Sequence, residues 1–503
     1  MKNNIVQYSV YLAIGVMLVL QSTAANENNQ LIAAVKDRNI NDVRSLLKKR
    51  VDVNQPEADG TTALQWAAHW DEIDIAKLLI KSGADANLAN DYGVTPAYLA
   101  CTNKSTSMIA LLLKAGADAS AALWTGETVL MNCARRGAEK SVLDLVNSGV
   151  EIDARESRLG QTALMWAAAK GHAKIVSTLV NHGADVKMTS KNGFTPLLFS
   201  ARSGDVETAR IFLDAGADPN EATDKFGNSL VIASAGGHEE LSLYLMEKGA
   251  DINSMDEFGI TPLHYSIRRG MSVVNGIRYD PAYRIRPENM HNLTRALLQA
   301  GADPNIQIAK NNMLGPDAGP FRMVQATPFM LAAYSVDVSL MRLLADYEAD
   351  PGVNTAEGYT PLMAAARVAC IGACAYKNNN IPDKESLDKS YQAVKAALEL
   401  GVDINVTNKD GQTAMHLAAF TGGDEIIQLL VENGASITVA DKFGETPWSM
   451  ASGLSPVLRR RGLYGRHDST VELLEKLGAT AINIEEMDGL APRLGQGSTS
   501  VKP

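Results

Sequence analysis

The stretch Asp59-Gly60-Thr61-Thr62-Ala63-Leu64, closed by Gly83-Ala84-Asp85-Ala86-Asn87, decides the fold, because it returns along the chain about every 33 residues. Turn glycines stand at Gly60, Gly93, Gly126, Gly160, Gly193, Gly227 and Gly259, in steps of 32 to 34. A fixed period of this size indicates stacked repeats rather than one central core. A stack presents a long surface, so the functional question turns to binding before catalysis.

Residues 191–220 show what one repeat is made of. Asn192-Gly193 is a tight-turn dipeptide. Thr195-Pro196 opens a helix: Thr is a good N-cap, and Pro fits the first turn, where its missing N–H has no intrahelical partner. Leu197, Leu198, Ser200 and Ala201 follow, and Gly204 ends this helix. Thr208 to Leu213 is expected to form a second helix, with Gly216 at the left-handed position after it. Neither helix is long enough to be stable alone. Each must bury its apolar side against the neighbouring repeats.

Gly-x-Thr-Pro-Leu occurs at Gly193-Phe194-Thr195-Pro196-Leu197, Gly259-Ile260-Thr261-Pro262-Leu263 and Gly358-Tyr359-Thr360-Pro361-Leu362. Gly-Ala-Asp recurs from Gly83, Gly116, Gly183, Gly216, Gly249 and Gly301, and Thr261-Pro262-Leu263-His264 is the fullest copy of the opening tetrapeptide. With these motifs the chain resembles ankyrin-repeat proteins over about residues 31–480. The resemblance implies an all-α solenoid of helix-turn-helix units with β-turn fingers. It implies protein binding and no shared active site, and leaves the target open.

The departures from the pattern are specific to this chain. Thr62 to Gly83 spans 21 residues, but Thr261 to Gly301 spans 40, Thr360 to Gly401 spans 41 and Thr446 to Gly478 spans 32. These excesses place inserts near 268–290, 368–390 and 453–466, between first and second helix. A further insert near 306–325 lies between repeats. About eleven repeats and an N-terminal cap are expected over residues 26–480, with a C-terminal tail over 481–503 that is disordered from 487. Glu348 occupies the slot that Gly fills elsewhere. If the left-handed backbone is kept there, it costs about 1 kcal/mol.

Residues 1–25 read as a signal peptide. Met1-Lys2 precedes an apolar run from Val10 to Leu20, and Ser22-Thr23-Ala24-Ala25 offers small residues for cleavage. The run is shorter than the roughly 20 residues a spanning helix needs, so no stable membrane insertion is expected after cleavage. The expected destination is a bacterial periplasm, with secretion or a retained signal anchor as alternatives. The formal charge of −10 argues against nucleic acid as a partner.

Candidate chemistry is sparse. No His-Glu-x-x-His, phosphate loop or Gly-x-Ser-x-Gly elbow is present, and the histidines do not cluster by spacing. No catalytic residue, metal or cofactor is therefore assigned, and an enzyme using the inserted loops is the competing class. Cys101 and Cys133 occupy small buried positions of first helices and read as filler. Cys370 and Cys374, at i and i+4 beside an insert, read as a local disulfide pair in an exported protein. His264 and His416 are expected to hydrogen-bond neighbouring turns.

Two surfaces compete as the partner site. The inserts carry Arg278, Tyr279, Tyr283, Arg284 and Arg286, and Arg459, Arg460 and Arg461. Arg and Tyr are favoured interface anchors and would suit a protein with an acidic surface. Alternatively these arginines pair with acids on their own repeats. Trp66 and Trp166 occupy equivalent places on first helices, where they are either exposed anchors or core. The reading is a non-enzymatic protein-binding scaffold working outside the cytoplasm, with a secreted effector that binds a host protein as an alternative.

Overall fold

A computed structural model describes residues 30–267, 288–310, 323–367, 384–453 and 466–481. The chain divides into two compact units, with the boundary between Glu221 and Ala222. Both are built from the same helix pair. In the first unit the first helices are Ala63–His69, Pro96–Thr102, Val129–Arg136, Ala163–Ala169 and Pro196–Ser203. Their second helices are Ile73–Lys81, Thr106–Lys114, Glu139–Asn147, Ala173–Asn181 and Val206–Asp214. Within each unit first helices pack on first helices and second on second, so the repeats stack in two layers. This is the all-α ankyrin-repeat solenoid that the period implies.

Local chemistry explains the pair. The Thr195 hydroxyl accepts a hydrogen bond from the Leu198 N–H, Pro196 sits in the first turn, and Gly204 closes the helix at φ 79°. The second helix starts at Val206, earlier than the expected Thr208, because the Asp205 carboxylate accepts the Thr208 N–H at 2.6 Å. Leu197, Leu198, Ala201, Ala209 and Phe212 are buried between the layers. Each large apolar side chain removed from water in this way contributes about 1.5–3 kcal/mol.

Two polar devices tie one repeat to the next. Neighbouring fingers share a backbone bond, such as Asp91 N–H to the Asp59 carbonyl at 3.0 Å and Lys191 N–H to the Leu159 carbonyl at 2.8 Å. Below the fingers, Asn54 donates to the Gly83 carbonyl at 3.1 Å and accepts the Asp85 N–H at 2.8 Å. Asn87 repeats the bridge to Gly116 and Asp118. Asp153 takes this place two repeats further on. It accepts the Asp185 N–H at 3.2 Å but has no N–H to donate. Burial is the main cause that raises its carboxyl above the ordinary range, and the charges of Asp185 and Glu151 add to it.

The second unit opens with a short hairpin, Ala222–Thr223 against Gly227–Asn228. Its helix pairs follow the same layering, but residues 268–287, 368–383 and 454–465, which hold most of three expected inserts, lie outside the described residues. Each falls between a first helix and a second helix. Just beyond the first of them, Met290 N–H bonds the Ser266 carbonyl at 2.8 Å, and Asn289 Nδ2 bonds Asp337 Oδ2 at 2.7 Å. Glu348 keeps the left-handed backbone, at φ 66°. Its carbonyl still accepts from Asn305 at 3.0 Å, which completes the interrepeat bridge.

Candidate protein-binding surface

The first helices bury the side that carries Leu64, Ala67, Ala68, Ala167 and Ala168, and leave Trp66 and Trp166 half-buried. Neither tryptophan is purely core or purely exposed. Each ring is fixed by polar contacts and covered by a cation from the repeat before it.

At Trp66 the indole N–H donates to Glu57 Oε2 at 2.8 Å, and Lys36 lies 4.4 Å from the ring centroid while pairing with Glu57 at 2.5 Å. Trp70, one helical turn on, stacks on Trp66 at 6.5 Å between centroids. Arg38 covers Trp70 at 4.6 Å. His69 meets the Trp70 ring edge-on at 4.6 Å. Trp70 remains 40% exposed, so this end of the surface is an accessible aromatic patch held by its own cations.

Trp166 stands three repeats further along the stack and is not brought together with Trp66. Its indole N–H donates to Gln161 Oε1 at 2.7 Å, and the Arg135 guanidinium covers it at 4.6 Å. Arg135 also pairs with Glu127 at 2.9 Å. The same Glu127 oxygen accepts the Tyr98 hydroxyl at 2.7 Å. Burial and the Glu127 carboxylate push the Tyr98 hydroxyl up to about 12, so it stays protonated and donates. Tyr98, Glu127, Arg135 and Trp166 thus form a chain of contacts across three repeats.

Beneath this chain the structure corrects the reading of two cysteines. Cys101 and Cys133 are buried as expected, but they are bonded to each other, with Cα atoms 4.6 Å apart. They sit on consecutive first helices, where the close approach permitted by small side chains also permits a covalent link. Cys370 and Cys374, the pair expected from spacing, lie outside the described residues. So do Arg278, Tyr279, Tyr283, Arg284, Arg286, Arg459, Arg460 and Arg461.

His264 and His416, both buried, hold turns rather than ligands. His416 Nδ1 accepts the Thr413 N–H at 3.1 Å, so its proton sits on Nε2 and is donated to the Glu445 carbonyl of the next finger at 3.2 Å. His264 makes the same box with Thr261, and burial pushes its pKa down to about 4. Among the described residues, no group of three or more His, Cys, Asp or Glu side chains is placed to hold a metal ion. Among them, too, no helix is long and apolar enough to cross a membrane.

Sequence reasoning found Trp66 and Trp166 but missed Trp70, Lys36, Arg38, Tyr98, Glu127 and Arg135. A usable signal existed: Lys36, Arg38 and Arg135 each stand about one repeat length ahead of the ring they cover.

Helix pair, finger and interrepeat bridge together define an ankyrin-repeat protein. Comparison with known families agrees. The family described as ankyrin repeats (3 copies) matches residues 3–90, 31–123, 75–156, 130–223 and 386–459, and ankyrin repeats (many copies) matches 230–273. The chain belongs to this family, whose repeats are typical of protein–protein interaction scaffolds. It is 32% identical over 90 residues to the probable 26S proteasome regulatory subunit p28 of Saccharomyces cerevisiae, covering 18% of this chain and 35% of that protein. It is 29% identical over 197 residues to the human B-cell lymphoma 3 protein, covering 38% and 33%. It is 35% identical over 144 residues to the neurogenic locus notch homolog protein 1 of Xenopus tropicalis, covering 28% and 5%. The chain therefore spans about a third or less of the length of these relatives. The human ASB11 ankyrin repeat domain matches with a TM-score of 0.40 and 24% identity, over 44% of this chain and 98% of that one.

Proposed function

We propose that this chain is a non-enzymatic scaffold that binds another protein through the first-helix face of its N-terminal unit, outside the cytoplasm. The observation that carries the reading is the pair of cation-covered tryptophan sites, Trp66 with Trp70 and Trp166 with Arg135, on one layer of helices. Trp, Tyr and Arg are the residue types that dominate binding energy at protein interfaces. Here their rotamers are already held by Glu57, Gln161 and Glu127, so little side-chain freedom is lost on association. The arginine-rich inserts are a second proposed contact, suited to an acidic partner surface.

Two features support an extracytoplasmic site. Residues 1–25 have the composition of an export signal, and Cys101 and Cys133 form a disulfide, a bond that persists in oxidising compartments. A bacterial periplasm is the simplest such compartment. A photoreactive amino acid in place of His69, between Trp66 and Trp70, tests the binding reading in cells. A covalent adduct with a second polypeptide is expected. Adducts formed from position 284 in the first insert, with none from position 69, would move the site to the inserts.

A further inference from the structure

The disulfide lies directly under the contact chain of the proposed face. Cys101 shares a helix with Tyr98, and Cys133 shares the next with Arg135. Asn132, beside Cys133, donates to the Tyr98 carbonyl and to Thr102 Oγ1, both at 2.9 Å. Glu127 joins the same two helices from above, through Tyr98 and Arg135. In the neighbouring repeats the corresponding positions are Ala67, Ala68, Ala167 and Ala168, which pack without a covalent link. So, among the described residues, one interface carries a bond that the others lack, and it is the interface on which Tyr98, Glu127 and Arg135 depend.

We infer that the Cys101–Cys133 bond is a redox-controlled brace for this face. Oxidised, it holds the two helices in the register that lets Tyr98 and Arg135 share the Glu127 carboxylate. A dithiol reductant breaks the S–S bond by transferring two electrons and two protons, leaving two cysteine thiols and a cyclic disulfide of the reductant. Each thiol is a small apolar group that still fits its site, so the stack persists while the interface opens more often. Both cysteines are fully buried, so attack on the bond requires a local opening first. That the brace regulates partner binding rests on the binding reading above. The brace itself does not, and it can be measured without a partner.

The test is amide hydrogen exchange on the mature full-length chain, oxidised and after dithiothreitol, with C101A/C133A alongside. Reduction is expected to speed exchange at residues 96–102 and 129–136 by roughly 10-fold or more, with little change in Pro361–Ala366. The double variant should match the reduced protein and ignore dithiothreitol. If the variant fails to fold, reduction of the wild-type chain decides alone. Unchanged exchange, uniform acceleration, or a bond that resists dithiothreitol under native conditions would overturn the inference. So would a variant that still responds to dithiothreitol, which would assign the effect to Cys370 and Cys374.

Discussion

The two units use one repeat and tolerate different departures from it. Before residue 221 the fingers recur without interruption, two first helices are joined by a disulfide, and Asn54 and Asn87 bridge successive repeats. After it, three of the joins between first and second helix carry extra sequence, the second helix Lys384–Glu399 runs to 16 residues where Asp424–Glu432 has 9, and Glu348 stands in a glycine slot. The finger-to-finger backbone bond, as from Lys409 N–H to the Glu357 carbonyl at 3.0 Å, and the layering survive in both. The reason is visible at the glycines. A Cβ on Gly60 would lie 3.0 Å from Asn90 Cα of the next finger, and one on Gly93 would lie 3.2 Å from Leu123 Cα. A Cβ on Gly83, Gly116, Gly216 or Gly301 would meet nothing within 4 Å. The helix-end slot constrains only the backbone, so Glu348 fits it at the cost of a positive φ. Gly60 and Gly93 are constrained in backbone and space together, while Gln325 takes the equivalent finger slot ahead of Thr327 at φ 64°.

The largest difference expected between the units on acidification comes from His264. Its folded pKa, about 4, is depressed by burial below the ordinary 6.5. The unfolded chain therefore takes up the proton first. Stability is complete above about pH 6.5, falls as pH is lowered, and levels off below about 4, with a total loss on the order of 3 kcal/mol. His416, also depressed by burial, adds to the same slope. Urea midpoints from pH 7.5 to 4 should fall for the transition of the second unit, and less steeply in His264→Asn. A parallel fall in wild type and variant would show that His264 is not responsible.

A smaller effect lies in the first unit. Asp153→Asn should restore the missing donor toward the Gly183 carbonyl and remove like-charge contact with Asp185 and Glu151. A gain of about 1 kcal/mol is expected from one net hydrogen bond. An unchanged or lower urea midpoint at pH 7 would break the analogy with Asn54 and Asn87. The smallest effect belongs to the second unit again. Glu348→Gly removes the left-handed penalty but adds freedom to the unfolded chain, leaving a gain of roughly 0.5 kcal/mol. A loss would mean that the Glu348 side chain contributes more than its backbone costs.

Much of this was legible in the chain. Thr195-Pro196, Gly204 and Gly216 announced both helices and both ends, because capping and positive φ are local properties. The start at Val206 rather than Thr208 is set by Asp205, whose carboxylate caps the helix. The disulfide was not legible, since Cys101 and Cys133 satisfy the demand for small buried side chains as well as alanine does. Whether they also bond depends on how one helix is rotated on the next, which spacing does not specify. The half-burial of Trp66 and Trp166 was hidden for a related reason: the side chains that cover them belong to the preceding repeat.

The proposed partner is held by the tryptophan sites of the first unit. Affinity capture from the compartment in which the native protein resides, quantified by mass spectrometry, tests it with three forms of the full chain: wild type, Trp66→Ala with Trp166→Ala, and charge reversal at Arg278, Arg284 and Arg286. Far-UV circular dichroism should be the same for all three. A protein recovered with wild type is expected to fall by at least about 10-fold in the tryptophan variant, as loss of anchor residues requires, and to change less in the arginine variant. Full recovery with the tryptophan variant, together with loss in the arginine variant, would contradict it.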